Sequence, residues 1–287
     1  MMFRKIAATL LLAALIPAAQ ADGRGAGKQE SGKITFSWSR SRMDGSRTGV
    51  TCPGADNVNE ALGRVDGRLY RAPNGKTFKG GSVPEVAAVL IGAQPAMAPV
   101  KKVVGHSARE MIRTYPECEL SNLFIDTIMA AVEKESGRKV DVGIGNFGGI
   151  RVDMPAGDIL QDDIMSMFPF KNDIVYVALK GRDVRVILDR MAAGRFEVLG
   201  GVRVVAEDGK IVSAEIGGEP LDDEKIYGVA TITFLLDGGD DVHVAKNALE
   251  VIVCGKEIYD VMMDYVKAET AAGRPVEYHK DGRVQIL

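Results

Sequence analysis

Apolar positions recur at helical or strand spacing over most of the chain after residue 103, and far less regularly before it. One pattern predicts an amphipathic helix over Leu120–Ser136, ended by Gly137. The apolar face of this helix contains Leu120, Leu123, Phe124, Ile128 and Val132. A second helix is predicted where Val184, Ile187, Leu188 and Met191 follow the same spacing, and a third from about Lys256 to Ala272.

Strands are predicted between these helices. "DIVYVALKG" is apolar on both faces, which is typical of a central strand, and "IYGVATITFLL" reads as a long buried strand. Shorter strands are predicted at "KVDVGIG", "LEVIVCG" and "GRVQIL". In "VRVVAEDGKIVSAEI", Asp208-Gly209 separates two alternating runs, which predicts a β-hairpin. Asp158 is expected to cap a short helix, "ILQDDIMSM".

The order of these elements favours an α+β fold, with a mixed sheet and packed helices, because strict βαβ alternation is missing. Residues 103–287 are expected to form this main domain. Residues 82–102 read as a connecting helix that Pro95 and Pro99 interrupt. Residues 22–81 read as a disordered start followed by a small β-rich extension, with one strand at "ITFSWS".

The first 21 residues have the pattern of a signal peptide. Arg4 and Lys5 precede an apolar run, and Ala19-Gln20-Ala21 offers a cleavage site after Ala21. We therefore expect a periplasmic or secreted protein. The apolar run is too short for a bilayer, which needs about 20 residues, and no later stretch reads as a membrane helix.

Net charge and cysteine content exclude few classes of function. Removal of Arg4 and Lys5 with the leader takes the formal net charge from −3 to about −5, which gives no reason to expect a nucleic-acid partner. The chain has three cysteines, Cys52, Cys118 and Cys254. An exported protein could pair two of them or keep all three as thiols, and spacing does not decide between these.

Common catalytic motifs are missing from the sequence. There is no G-x-S-x-G elbow and no Walker loop, and the glycines of "GIGNFGG" follow a predicted strand but do not precede a predicted helix, as a dinucleotide site requires. The histidines, His106, His243 and His279, are scattered singly. Only His243, near Asp240 and Asp241, is a candidate metal ligand, and a surface histidine is the simpler interpretation. No metal site or cofactor is expected in this chain.

Candidate binding residues are easier to find. Arg151 follows Gly148 and Gly149, and its planar fork suits a phosphate or a carboxylate, although a surface arginine would look the same. Phe170 and Phe234 stand near strand ends and could stack on a planar base, or could be core residues.

Asp240 follows Gly238 and Gly239, and could accept hydrogen bonds from sugar hydroxyls or cap its turn.

From about Val103 onward, the chain resembles the C-terminal domain of the 5′-nucleotidase family, which includes UDP-sugar hydrolases. The resemblance is carried, in order, by "ECELSNLFIDTIM", "NFGGIR", "GDILQDDIMSMFPFKN", "VYVALKG" and "TITFLLDGGDD". It implies a nucleotide-binding domain in which Phe170 and Phe234 sandwich the base and Asp240 holds the ribose hydroxyls. It also implies that Asn146 and Arg151 contact the nucleotide, and that Arg109 and Arg113 lie in the phosphate-binding region.

The departure from the family is the two-metal phosphoesterase domain. Its motif set, D-x-H followed by G-N-H-[DE] and G-H-x-H, does not occur, because Asp241-Val242-His243 matches D-x-H alone and the other two motifs are missing, and residues 22–102 are too few to hold the domain. We therefore expect the substrate-recognition half of a split 5′-nucleotidase. This half would be inactive alone and would act on a nucleoside monophosphate or nucleotide-sugar with a separate metallophosphatase that carries the metals. The alternatives are a nucleotide-binding module without a hydrolytic role, and an interaction scaffold that binds no ligand.

Overall fold

The computed structural model describes residues 45–54 and 56–287. The expected signal peptide, the start of the extension and the strand at "ITFSWS" lie outside these residues. The described helices are α1 (Val58–Leu62), α2 (Ser82–Met97), α3 (Glu119–Ser136), α4 (Gln161–Met167), α5 (Gly181–Ala193) and α6 (Ile258–Ala271).

The strands fall into four described sheets. An N-terminal three-stranded sheet contains β1 (Arg64–Asp66), β2 (Leu69–Arg71) and β3 (Thr77–Lys79). A two-stranded sheet contains β4 (Val103–Ser107) and β6 (Gly157–Leu160). The central five-stranded sheet has β5 (Val142–Gly145), β7 (Asp173–Lys180), β8 (Val198–Gly200), β12 (Ile226–Ile232) and β13 (Glu250–Glu257). The last sheet has β9 (Val202–Glu207), β10 (Lys210–Ile216), β11 (Glu219–Pro220) and β14 (Val284–Ile286).

The central sheet has the order β13-β7-β12-β5-β8, in which β12 is parallel to β5 and the other pairs are antiparallel. Strand β7 lies between two neighbours and its residues Ile174–Leu179 are all buried, so the prediction of a central strand is confirmed. Such mixed pairing, with helices packed on the sheet, is an α+β fold, as expected.

Helix α3 packs its apolar face on this sheet, and the five residues named for that face are fully buried. Cys118 is the N-cap, and its Sγ accepts a hydrogen bond of 3.2 Å from the Ser121 amide. Gly137 follows the last turn with φ 65°, a left-handed conformation that glycine adopts without strain. The predicted helix is therefore confirmed at both ends.

Two further predictions are confirmed. Helix α5 buries Val184, Ile187, Leu188 and Met191. Strands β9 and β10 form the predicted hairpin, and both turn residues, Asp208 (φ 48°) and Gly209 (φ 73°), adopt the positive φ that such a turn requires.

The role predicted for Asp158 was wrong. Asp158 lies inside β6, opposite His106 of β4. The following helix α4 instead begins after Leu160, whose backbone N–H donates to Asp163 Oδ2 at 2.7 Å. The alternation of "GDIL" was too short to be distinguished from a helix start by spacing alone.

Helix α2 also differs from the prediction, because Pro95 lies inside it and the helix continues to Met97. Only Pro84 and Ala87 of this helix are buried. Ser82–Val100 is long and apolar enough to cross a membrane, and only 6% of its apolar stretch is buried. The expectation that no later stretch is long and apolar enough for a membrane helix was therefore wrong, although one helix of this length and composition does not establish a span.

Residues 45–287 form one compact unit, and the predicted domain boundaries at residues 81 and 102 stay predictions. The C-terminal segment is tied to α3 by Arg283, which is 7% exposed and pairs with Asp126 at 2.7 Å and Asp281 at 2.8 Å. Cys52, Cys118 and Cys254 are all free thiols.

Candidate functional site

Strand β5 runs into the turn that holds Asn146, Gly148 and Gly149. Asn146 is buried in an extended conformation, and residues Phe147–Gly149 then form a 3-10 turn. A Cβ atom on Gly149 would come within 2.6 Å of Asn146 Oδ1, so this position has no room for a side chain. A Cβ on Gly148 would lie 3.3 Å from both Asn146 Nδ2 and Asp240 Oδ2.

Asp240 lies on a second turn, which meets the first. Gly238 (φ 110°) and Asp240 (φ 50°, ψ 32°) both have positive φ, so the backbone turns sharply here. Asn146 Nδ2 donates a hydrogen bond of 2.6 Å to Asp240 Oδ2. Asn146 Oδ1 is buried without a partner in the described structure, and the opposite amide orientation would place this oxygen against a carboxylate. The two turns are therefore coupled through one short hydrogen bond.

The two phenylalanines of "FPF" have different environments. Phe168 is 3% exposed and its ring stacks on Phe124 of α3, with centroids 5.2 Å apart. Phe170 is 47% exposed and lies just before β7. Phe168 is thus a core residue, and Phe170 is available to a ligand.

Phe234 lies just beyond the neighbouring strand. The predicted long strand ends at Ile232, and Phe234 lies on a 3-10 turn with 45% of its surface exposed. Ile232 pairs with Ile174 in the antiparallel register of β12 and β7. The two exposed phenylalanines therefore extend from the same end of the central sheet.

Asn172 lies directly before β7, two positions after Phe170, and the sequence analysis missed it. Its Oδ1 accepts a hydrogen bond of 3.3 Å from Thr233 Oγ1. The signal was present in the sequence, because an amide side chain follows Phe170 by two positions at the entrance to a buried strand.

Arg151 joins the first turn to Phe170. Its guanidinium carbon lies 5.8 Å from the centroid of the Phe170 ring, within cation–π range, and Nη1 donates to the Gly148 carbonyl at 3.2 Å. Residue 151 is exposed. An exposed guanidinium is thus held beside an exposed ring.

The structure separates the two arginines that precede α3. Arg113 Nη1 donates to the carbonyls of Ile150 (2.5 Å) and Phe147 (3.2 Å), so it braces the first turn. Arg109 instead pairs with Glu119 at 2.9 Å and donates to the Tyr278 carbonyl. Arg113 is brought to the cluster of candidate residues, whereas Arg109 is held by a carboxylate.

A cleft of about 530 Å³ begins at Gly148 and Asp240 and contains Arg113. Its remaining lining residues, which the sequence analysis missed, are Thr114, Tyr115, Phe147, Arg195 and Glu197. Glu197 is 8% exposed and accepts a hydrogen bond of 2.7 Å from the Phe147 amide. Burial raises the pKa of Glu197, and the nearby charge of Asp240 raises it further. In the sequence, Glu197 could have been noticed as a charged residue directly before the apolar strand β8.

A neighbouring cleft of about 400 Å³ lies between α5 and the Asp240 turn. It shares Arg195, Glu197 and Asp240 with the first cleft. Its floor is apolar, formed by residues such as Ile187 and Met191.

No described group of three or more His, Cys, Asp or Glu side chains is arranged to hold a metal ion. His243 faces Asp241 at 3.8 Å, and His106 faces Asp158 at 3.3 Å, so each histidine meets one carboxylate. The described residues do not fit the two-metal site of a phosphoesterase.

The sequence profile of the family described as "5′-nucleotidase, C-terminal domain" matches residues 103–247, half of the chain. The chain is 37% identical over 145 residues to protein UshA of Salmonella pullorum, covering 49% of this chain and 26% of UshA. It is 36% identical over 145 residues to protein UshA of Escherichia coli strain K12, covering the same shares. It is 27% identical over 197 residues to an apyrase of Tabanus yao, covering 60% of this chain and 35% of the apyrase. The chain thus spans 26–35% of the length of these curated relatives.

Solved structures show the same relationship. The fold matches a 5′-nucleotidase precursor from Thermus thermophilus with a TM-score of 0.63 and 26% identity, covering 75% of this chain and 45% of that protein. It also matches the NAD nucleotidase of Haemophilus influenzae with a TM-score of 0.54 and 18% identity, covering 76% of this chain and 47% of that protein. The second similarity shows the fold alone.

Proposed function

Because the chain belongs to the 5′-nucleotidase C-terminal domain family, we propose that it is the nucleotide-recognition half of a split 5′-nucleotidase. The observation that carries this proposal is that Phe170 and Phe234, both about half exposed, extend from one end of the central sheet. Two large rings exposed to water lose the stabilising free energy of apolar burial, and stacking on a base would restore part of it. A nucleoside monophosphate or a nucleotide-sugar is the ligand class with a suitable base.

The sugar and the phosphate have neighbouring partners. Asp240 is exposed on a glycine turn, and its carboxylate would accept hydrogen bonds from ribose hydroxyls. Arg151, beside Phe170, and Arg113, at the first turn, offer guanidinium groups to the phosphate. Asn172, which follows Phe170 by two positions and accepts a hydrogen bond from Thr233, would contact the edge of the base.

Hydrolysis requires a nucleophile, and we assign it to a separate metallophosphatase. Two divalent metals on that partner would activate the attacking water and neutralise developing charge. The residues described here would hold base, sugar and phosphate in place, a contribution that lowers the barrier without supplying the attacking group. We further propose that the chain is exported through its first 21 residues.

An exposed apolar surface supports association with a second protein. On α2, Val86, Val89 and Leu90 are 49–72% exposed, and apolar patches of this kind commonly mark protein interfaces. We propose this face of α2 as the surface that binds the partner.

The test is nucleotide binding by calorimetry with the pure protein. Wild type is expected to bind adenosine and AMP, and Phe170→Ala or Phe234→Ala should each weaken both by roughly 5- to 150-fold, the value of one stacked ring. Val212→Ala, which trims a 59% exposed side chain on β10, is the control and should bind as wild type does.

Measurement of AMP hydrolysis distinguishes a split enzyme from a binding module and from an interaction scaffold. The protein alone, with added divalent metal, is expected not to hydrolyse AMP, and hydrolysis should appear on addition of the metallophosphatase. Robust hydrolysis by the protein alone would overturn the split arrangement. Binding without any effect on a phosphatase would favour a pure binding module, and no binding at all would favour an interaction scaffold.

A further inference from the structure

Arg195 is an exposed cation that the proposed nucleotide contacts do not use. It lies in the loop between α5 and β8 and lines the cleft that also contains Arg113, Gly148 and Asp240. No carboxylate lies within ion-pair distance of its guanidinium among the described residues. Its donors therefore remain available to a ligand.

The guanidinium is held in place by Tyr115. The Arg195 guanidinium carbon lies 4.9 Å from the centroid of the Tyr115 ring. That ring packs at 60° against Phe147, with centroids 6.0 Å apart, and its hydroxyl accepts a hydrogen bond of 3.0 Å from the Phe196 amide. A guanidinium stacked on an aromatic face keeps its N–H groups free at the edge, where they can bind oxygen atoms.

Arg195 and Arg113 thus bring guanidinium groups into one cleft from two separate chain segments. Arg151 stands beside the Phe170 ring at the other end of the Gly148 turn. One guanidinium fork matches two oxygens of one phosphate. Two guanidinium groups that line the cleft, with a third bonded to Gly148 at its border, suit two linked phosphates better than one.

Two carboxylates line the same cleft, and each accepts a hydrogen bond from another part of the protein. Asp240 is engaged by Asn146, and Glu197 accepts the Phe147 amide hydrogen. Burial raises the pKa of Glu197, whereas the hydrogen bond from Phe147 and the positive charge of Arg195 lower it.

We propose that Arg195 and Tyr115 form a subsite for the second phosphate of a nucleoside diphosphate group, free or in a nucleotide-sugar. This inference rests on the proposed function, because it assumes that the base lies at Phe170 and Phe234. It names the substrate class of that same site: ligands with a diphosphate are bound more tightly than monophosphates.

The experiment measures dissociation constants for adenosine, AMP and ADP, in the presence of a metal chelator, for wild type and three variants. Wild type should bind ADP about tenfold more tightly than AMP, the value of one set of charge-assisted hydrogen bonds. Arg195→Ala should remove this preference and leave adenosine binding unchanged, and Arg195→Lys should retain part of it. Arg182→Ala, which removes an exposed arginine paired with Glu224, is the matched control and should retain it all.

A wild-type ADP preference that is absent, or that survives Arg195→Ala, would overturn the subsite. UDP and UDP-glucose should both depend on Arg195, since both contain the diphosphate, and dependence for UDP alone would also overturn it. If the proposed function itself is wrong, the result is distinguishable from these. Adenosine would then not bind to wild type, or would bind to the Phe170→Ala, Phe234→Ala double variant as tightly as to wild type.

Discussion

The side-chain amide of Asn146 donates a 2.6 Å hydrogen bond to the carboxylate of Asp240, although the residues are 94 positions apart in the chain. The bond joins the turn after β5 to the turn after β12, whose strands are parallel neighbours. It orients the carboxylate that we assign to the ribose hydroxyls.

Asn146→Ala should therefore weaken AMP binding. The variant leaves Asp240 without the donor that orients it, so its side chain must be ordered when the ribose binds, which costs about 0.5–1.5 kcal/mol and predicts a loss of up to about tenfold. Calorimetric titration with AMP measures it. The matched control is Asn247→Ala, which breaks an exposed 2.6 Å bond to Asp183 in the neighbouring cleft and should leave AMP affinity unchanged. Equal losses in the two variants would contradict the role of the Asn146–Asp240 pair.

Gly239→Ala should disturb the base-binding ring. An added Cβ would lie 2.6 Å from two ring atoms of Phe234 and 2.2 Å from its carbonyl oxygen, so the ring or the turn must move. We expect adenosine affinity to fall by about tenfold, within the value of one stacked ring. Gly92→Ala, on a helix where a Cβ meets nothing within 4 Å, serves as the control. Unchanged adenosine binding by a folded Gly239→Ala protein would show that Phe234 does not contact the base.

The Arg283 network makes stability sensitive to acid. The pKa of Asp281 is lowered, first by its hydrogen bonds to Arg283. Because the folded pKa lies below the unfolded value of about 3.9, the stabilisation is present above that pH and is lost as the pH falls through the folded pKa. Asp281→Asn should be less stable than wild type at neutral pH and should lose less stability below about pH 4. Urea unfolding at several pH values tests this, and parallel curves would contradict it.

The contribution of Glu197 to stability should change with pH in the opposite direction to that of Asp281. Its folded pKa is raised, so its stabilising contribution is complete below the unfolded pKa of about 4.3 and is lost as the pH rises through the folded value. Glu197→Gln removes this loss and can still accept the Phe147 amide hydrogen. Wild type should therefore lose stability relative to Glu197→Gln between about pH 4.3 and neutrality. A constant difference between the two unfolding curves over that range would rule out a raised pKa.

Residue spacing alone determined the main helices, the central strand β7 and the β9–β10 hairpin, because these depend on contacts between residues a few positions apart. Motif order along the chain also determined the family. Short elements were harder: Asp158 was assigned to a helix cap and lies in β6, since four residues do not distinguish the two periods.

Only the tertiary structure decided which candidate residues are exposed and which of them lie together. Phe168 and Phe170 look alike in sequence, but α3 covers the first and leaves the second exposed. Arg109 and Arg113 both precede α3 and were both candidates from the sequence, but only Arg113 reaches the cleft. Glu197 reaches the Phe147 amide because β8 is the antiparallel neighbour of β5, and Arg195 meets Tyr115 from a different segment of the chain. The physical reason is the same in each case: burial and pairing depend on residues distant in sequence, whose approach the local pattern of apolar and polar positions does not encode.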